Sequence, residues 1–433
     1  MEKKMLIQRL RGYIFPNIFA MVGTSLYILV DTYFISAYAG TNGMTALNLV
    51  LPVYSTIFAI GSMLGNGSAT AYSLTKAAAS KNADMYFSGA VLVDLMLSIP
   101  LVLIGLLCPE QVMMLLGADR VIVETGRDYI SIVLLCTPFF LVNYAFTSFV
   151  RNDGAPNVAM AATIISSVFN IVFDYVLIFM LDMGMAGAAL ATGLSPVVSM
   201  GITMVHFLSK KNTIRFRFML PKFNKIIWAG RLGIGYFIGE VACGVTGFVF
   251  NTILLGLHGN VAVAAYGIVS NISVVGMAVF SGISQGLQPM ASEAQGVGNI
   301  ADRKAICKYA LKVGLVISAA IVGTILCFAN QIVSIFNSEQ DMEMAALAVP
   351  NLQLYILGFL PSSANIILCG YLGAIGRDRI CAFLSVFRGV IAITAFAFVL
   401  SGLFGIFGVW IAYPSAELLT LLIAVICMIR TGL

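Results

Sequence analysis

The sequence predicts an all-α integral membrane protein: twelve transmembrane helices in two six-helix lobes related by a parallel internal repeat. Three observations carry this reading. Of 433 residues, 60% are hydrophobic and only 10% are charged, against about 25% charged in soluble domains. Apolar stretches of the about 20 residues that a helix needs to cross the hydrocarbon core recur twelve times. Of the 24 Lys and Arg, all but Arg120 and Arg127 fall at the ends and loops that share one side when the spans are threaded. By the positive-inside rule that side is the cytoplasm. The chain is therefore expected to be multi-pass in the cell membrane with both termini cytoplasmic. Its net charge of +5 reads as a topology signal, and no nucleic-acid partner follows from it.

The spans are expected near 13–39, 44–72, 86–108, 129–150, 157–181, 184–208, 228–257, 261–291, 305–330, 346–372, 380–404 and 406–429. They are continuous apolar runs, without the alternation of a strand barrel. The first follows Lys3, Lys4, Arg9 and Arg11 but is too long for the apolar core of a cleaved signal and has no A-x-A-like site behind it. The eight cysteines are scattered without a C-x-x-C pair, so they read as small buried apolar residues. "SKKNTIRFRFMLPKFNK", from Ser209, is the most polar connector and divides the spans six and six. The expected domains are an N-terminal lobe 1–208, a basic cytoplasmic connector 209–227 and a C-terminal lobe 228–433.

The halves resemble each other. A G-x-x-x-G pair and a polar loop ending in Ala-Asp occur in "GSMLGNGSATAYSLTKAAASKNAD" and in "GISQGLQPMASEAQGVGNIAD". "RNDGAPN" parallels "AIGRDRI", and "GMAGAALAT" parallels "GIFGVWIAY". Each half starts on the same side of the membrane, which makes the repeats parallel, as in one class of secondary transporter. The paired glycines read as places where helices pack closely.

An ionisable group at a helix centre costs roughly 2.5–3.5 kcal/mol to insert, so each needs a reason. The candidates are Asp31, Asp94, Asp174, Glu240 and Glu417, none with a Lys or Arg expected at its depth. Asp31 and Asp174 stand seven or eight residues inside the outer ends of the first and fifth spans, and Thr192 as far inside the sixth. At 1.5 Å per residue all three lie roughly 10–12 Å below the outer boundary. Tyr27 and Asn170 precede the two aspartates by four residues and share their helix faces. Two carboxylates, an amide and hydroxyls would suit a hard monovalent cation or a shared proton. The plain alternative is that each aspartate hydrogen-bonds a neighbouring helix as structural glue. Asp94 is expected to reach toward cations of the inner loops. Glu240 and Glu417, near the midplane of the second half, read equally as structural or as partners for a cationic substrate or a proton.

"VDTYFISAYAG", "GLQPMASEAQG" and the block "RNDGAPNVAM…NIVFDYVLIF…GMAGAALAT" together resemble the multidrug and toxic compound extrusion (MATE) family over essentially the whole chain. The resemblance implies export of organic, often cationic, small compounds in antiport with Na⁺ or H⁺ by alternating access. It also implies a coupling-cation site, with Na⁺ or a proton at Asp31, Asn170 and Asp174 and with Tyr27 and Thr192 beside them. Pro16 matches a proline at which the first span of some members bends, and from the sequence alone it reads equally as a helix-start residue. The repeat places Ala392 and Phe396 opposite Asn170 and Asp174, so the lobes are expected to differ in function.

No cofactor other than the coupling ion is expected, and the chain is expected to act as a monomer in the bilayer. A flippase for a lipid-linked sugar of the wider superfamily is the alternative. Its phosphates would need several Arg or Lys within the spans, whereas nearly all the bases are expected at the inner boundary. An intramembrane enzyme is not expected, since there is no H-E-x-x-H or G-x-S-x-G, and His206 and His258 stand apart near opposite faces.

Overall fold

The structure is a computed structural model, and it describes residues 2–79, 82–217, 222–336 and 342–430. Lys81 and residues 218–221 of the connector lie outside them. The described residues are helical, with no strand among them.

Nine helices pass a test of length and hydropathy for crossing a membrane, and two bent pairs, Arg120–Leu135 with Thr137–Asn152 and Met344–Ile356 with Phe359–Ala374, bring the number to eleven. The first of the nine, Lys4–Ala77, contains a break at Gly40 (φ 57°, ψ −144°). That conformation is open essentially to glycine alone, and it splits the helix into a first and a second span. Twelve crossings result, in the expected order. The remaining spans are Met85–Leu107, Pro156–Met180, Gly184–Phe207, Phe223–Gly259, Val261–Gly296, Ile300–Ser334, Asp378–Phe404 and Ile406–Arg430.

The repeat is written in the backbone. Gly259 (φ 66°, ψ −153°) breaks the seventh span from the eighth as Gly40 breaks the first from the second. The fourth and tenth spans are bent by 45° and 46°. The fifth and eleventh each contain a π-helical stretch, Val176–Met180 and Phe387–Ala392. Pro16 lies well inside a helix that begins at Glu2, with helical φ/ψ around it, so it is not a helix-start residue.

Four buried clusters show how the halves meet. One draws only on the first half, from Ile35, Val50 and Tyr129 to Ala189. Another draws only on the second, from Phe250 and Tyr266 to Trp410. Both sit at the span ends far from the connector. Toward the connector the clusters are mixed. Leu10, Ile14 and Ile18 pack among Ile283, Leu287 and Met290, and Ala229 and Leu232 join Tyr72, Phe87 and Phe149.

The seam there is a backbone seam. A Cβ on Gly282 would lie 2.6 Å from Ile18 Cα, and one on Gly286 would lie 2.7 Å from Ile14 Cα. Small residues thus give the close packing expected of them. Gln288 Nε2 donates to the Asn66 carbonyl at 2.9 Å and also to the Thr70 hydroxyl. Among the described residues the halves are joined on the connector side and have separate cores on the other. A cavity of about 490 Å³ lies between them.

Candidate functional site

Two groups of polar side chains face or adjoin this cavity, and the first lies within the N-terminal half. Asp31 is 8% exposed, and Asp174 and Asn170 are fully buried. The carboxyl groups of Asp31 and Asp174 lie within hydrogen-bonding reach of each other. With the Asn170 amide oriented to satisfy its neighbours, its nitrogen donates to Asp174 Oδ2 at 3.2 Å. Its oxygen then accepts from Thr192 Oγ1 at 3.2 Å and Thr192 N at 3.3 Å; such an orientation is assigned from the network.

Helix periodicity explains the arrangement. Asn170 and Asp174 share one face at i and i+4, and the close pairing of the fifth and sixth spans brings Thr192 beneath them. A Cβ on Gly187 would lie 2.8 Å from the carbonyl carbon of Leu177, so only glycine permits that approach. Immediately after Asp174 the helix widens into its π stretch, a feature that often accompanies functional sites.

Tyr27 lies near both carboxyl groups and near Tyr54. Tyr54 and Tyr129 complete the wall around the aspartates. Sequence reasoning missed these two, because they belong to the second and fourth spans and no periodicity says which face meets Asp31. Among the described residues Asp31 Oδ1 and Asp174 Oδ1 have no hydrogen-bond partner. Two ionised carboxylates about 4 Å apart repel by about 4 kcal/mol at an effective dielectric of 20. The arrangement is therefore chemically completed by one positive charge, a proton or a small cation. Among the described residues no three of His, Cys, Asp and Glu gather as for a transition metal. The donor set here is carboxylate, amide and hydroxyl oxygen, which fits a hard cation.

The second group lies in the C-terminal half. Glu417 is 3% exposed and accepts from Arg388 Nε at 2.6 Å and Asn365 Nδ2 at 2.7 Å. This corrects the expectation that no intramembrane cation matches its depth. Arg388 falls in the π-helical stretch of the eleventh span and lines the cavity, whereas the sequence placed it at the inner boundary. Glu240 lines the cavity beside Tyr144, and no ion pair or hydrogen bond to it is seen among the described residues.

Arg151, also counted at the inner boundary, is 4% exposed and lines the cavity floor. Asp94 does not reach a cation: it is fully buried in the third span with both carboxyl oxygens unpartnered. His206 does not stand alone. Its Nε2 is 2.9 Å from Asp153 Oδ2, and Lys76 Nζ and Thr213 N each donate to Asp153 at 2.9 Å.

Two pseudo-symmetric six-helix lobes around a cavity that carries charged and polar side chains, sealed at one end, define a polytopic membrane transporter. A family model described as MatE matches residues 16–176 and 237–399, most of each lobe. The chain belongs to the MatE family. It is 26% identical over 428 residues to the multidrug export protein MepA of Staphylococcus saprophyticus, covering 98% of this chain and 94% of that protein. It is 27% identical over 415 residues to MepA of Staphylococcus haemolyticus, covering 94% and 90%.

Among solved structures, it superposes with a TM-score of 0.89 on one described as the outward-facing conformation of a multidrug resistance MATE family transporter of the MOP superfamily. The identity is 23%, over 96% of this chain and 93% of that one. A MOP superfamily transporter of Pyrococcus furiosus, described as having a binding pocket of reverse polarity, superposes with a TM-score of 0.89 at 24% identity, over 96% and 93%. These likenesses establish a shared fold.

Proposed function

We propose that this protein is a secondary active exporter of organic small molecules, cationic ones among them, driven by antiport with Na⁺ or H⁺ through alternating access. The observation that carries the reading is the convergence of Asp31, Asp174, Asn170 and Thr192 in one lobe, beside a cavity bounded by both. The kinship with MepA multidrug export proteins supports the choice of cargo. The distribution of Lys and Arg supports a cytoplasmic connector and termini in the cell membrane. The lobes are then closed on the cytoplasmic side and apart on the outer side.

In that state Na⁺ or H⁺ enters from outside and binds at Asp31 and Asp174 with Asn170 and Thr192, and cargo leaves. The lobes then rock about the seam, the cation is released inward, and cargo binds from the cytoplasm. Only a difference in cation affinity between the two states drives such a cycle. Pro16, in the first span beside Asn17 at the seam, sits where a bend would move Asp31 relative to the fifth span. The lobes contribute unequally: where the first has Asn170 and Asp174, the second has Ala392 and Phe396.

The flippase alternative gains from Arg388 and Arg151 in the cavity, since bases there were its missing feature. Glu417 neutralises Arg388, however, which leaves a single uncompensated guanidinium where a lipid diphosphate calls for several. Efflux of a fluorescent organic cation from proteoliposomes under imposed Na⁺ or pH gradients tests the proposal. Wild type is expected to respond to one gradient, and Asp31→Asn and Asp174→Asn to lose that response. Unchanged gradient-driven efflux in both variants removes the site.

A further inference from the structure

Arg151 is a buried guanidinium with no carboxylate partner among the described residues. Nη1 donates to Asn17 Oδ1 at 2.9 Å and Gln285 Oε1 at 2.7 Å, and Nη2 to Asn66 Oδ1 at 2.6 Å and Ser148 Oγ at 3.3 Å. Nε has no partner. Every acceptor is a neutral oxygen, so the charge itself is uncompensated, an arrangement that is costly in a protein interior. Asn17, Asn66 and Ser148 belong to the same lobe as Arg151, whereas Gln285 comes from the eighth span, across the seam. When the lobes part on this side, the Gln285 oxygen leaves with its lobe and an Nη1 proton is freed toward the opening cavity.

A carboxylic acid lines the same cavity. Tyr236 of the seventh span lies near the Arg151 guanidinium, and Glu240 lies one turn, about 6 Å, further from the connector on the same helix face. All three line the cavity. With Arg388 and Glu417 paired to each other, the free charges on the cavity wall among the described residues are one cation at the floor and one anion above it.

We propose that Arg151 is a specificity residue that takes the carboxylate or other anionic group of the cargo in place of Gln285, so that the preferred cargo is amphoteric, its cationic end toward Glu240. This rests on the export reading and narrows its substrate class. A guanidinium binds a carboxylate more strongly than an amide oxygen because the hydrogen bonds are charge-assisted and paired. The exchange therefore favours cargo over Gln285 once the seam loosens.

The test uses rhodamine B, which carries a free carboxylate and a delocalised cation, and its ethyl ester, which keeps only the cation. Binding to the purified protein is read by fluorescence polarisation without any gradient, so a failed coupling site does not affect it. Wild type is expected to bind the acid at least tenfold more tightly than the ester. Arg151→Gln should abolish that preference, and Arg151→Lys should retain part of it. Gln285→Ala, which removes the competing oxygen, should raise affinity for the acid several-fold and leave the ester unchanged. Equal wild-type affinities, an unchanged preference in Arg151→Gln, or equal loss of both dyes in that variant would overturn the proposal. If the dyes discriminate as expected but no gradient drives efflux, the antiport reading fails and this one stands.

Discussion

The seam between the second and seventh spans makes a sharp prediction about conformational balance. A Cβ on Gly67 would collide with the carbonyl oxygen of Ala229 and lie 2.8 Å from Gly233 N. Conversely, one on Gly233 would collide with the Met63 carbonyl oxygen and lie 2.8 Å from the Met63 carbonyl carbon. The obstacles are backbone atoms, which no rotamer change removes. Overpacking of a methyl group typically costs about 1–3 kcal/mol. Because the collision is between lobes, that strain is relieved when they part, and it acts on one state alone. Gly67→Ala should therefore shift the ratio of connector-side-open to closed molecules by about 5- to 150-fold.

Spin labels at positions 78 and 223, in a background freed of native cysteines, would read the distance across this face by double electron–electron resonance. A longer-distance population is expected to appear or grow in Gly67→Ala. Gly230→Ala is the control, since a Cβ there meets nothing within 4 Å. Identical distance distributions in wild type and Gly67→Ala, with both variants folded, would refute the seam as the closed gate.

Two further predictions concern charges outside the aspartate site. Glu417→Ala alone leaves the half-buried Arg388 without its counter-ion and should lower stability by about 3–5 kcal/mol, whereas a double replacement of Arg388 and Glu417 by methionine should recover much of it; melting of the purified variants in detergent measures both. At the connector, burial opposes ionisation of Asp153, but hydrogen bonds from the Thr213 hydroxyl and amide and from Lys76 and His206 outweigh it and hold the carboxyl below its ordinary value. The folded value lies below the unfolded one, so this anchoring is fully present above about pH 4 and is lost only as pH falls through the depressed value. Trypsin cleavage at Lys210, Lys211 and Arg215, normalised at each pH to trypsin's rate on an unstructured peptide, should therefore be flat between pH 6 and 8 in wild type and markedly faster in Asp153→Asn.

Much of this architecture is legible in the sequence because the bilayer imposes it. Hydropathy alone places all twelve crossings, and the breaks at Gly40 and Gly259 fall between the spans it separates. Counting residues inward from the span ends is enough to bring Asp31, Asp174 and Thr192 to one depth, since helix rise is constant. What stayed hidden depends on which faces meet and where a helix truly ends. Arg388 was grouped with the basic residues of the inner ends although it lies eight residues into its span, as deep as Asp31 from the other side; the structure carries it to the cavity and Glu417. Arg151 was hidden in the same way at the end of the fourth span. Tyr54, Tyr129 and the Asp153–His206 contact are tertiary pairings between separate spans, and no spacing along the chain encodes them.

In the proposed cycle the Asp31–Asp174 pair with Asn170 and Thr192 holds the coupling charge. Equilibrium binding of ²²Na⁺ to purified protein, with proton release followed by an indicator dye in the same samples, tests it most directly. One equivalent of Na⁺ is expected to bind, or one equivalent of protons to exchange on titration, and Asp174→Asn is expected to lose that equivalent. The same stoichiometry in wild type and in the Asp31→Asn, Asp174→Asn double variant would contradict it.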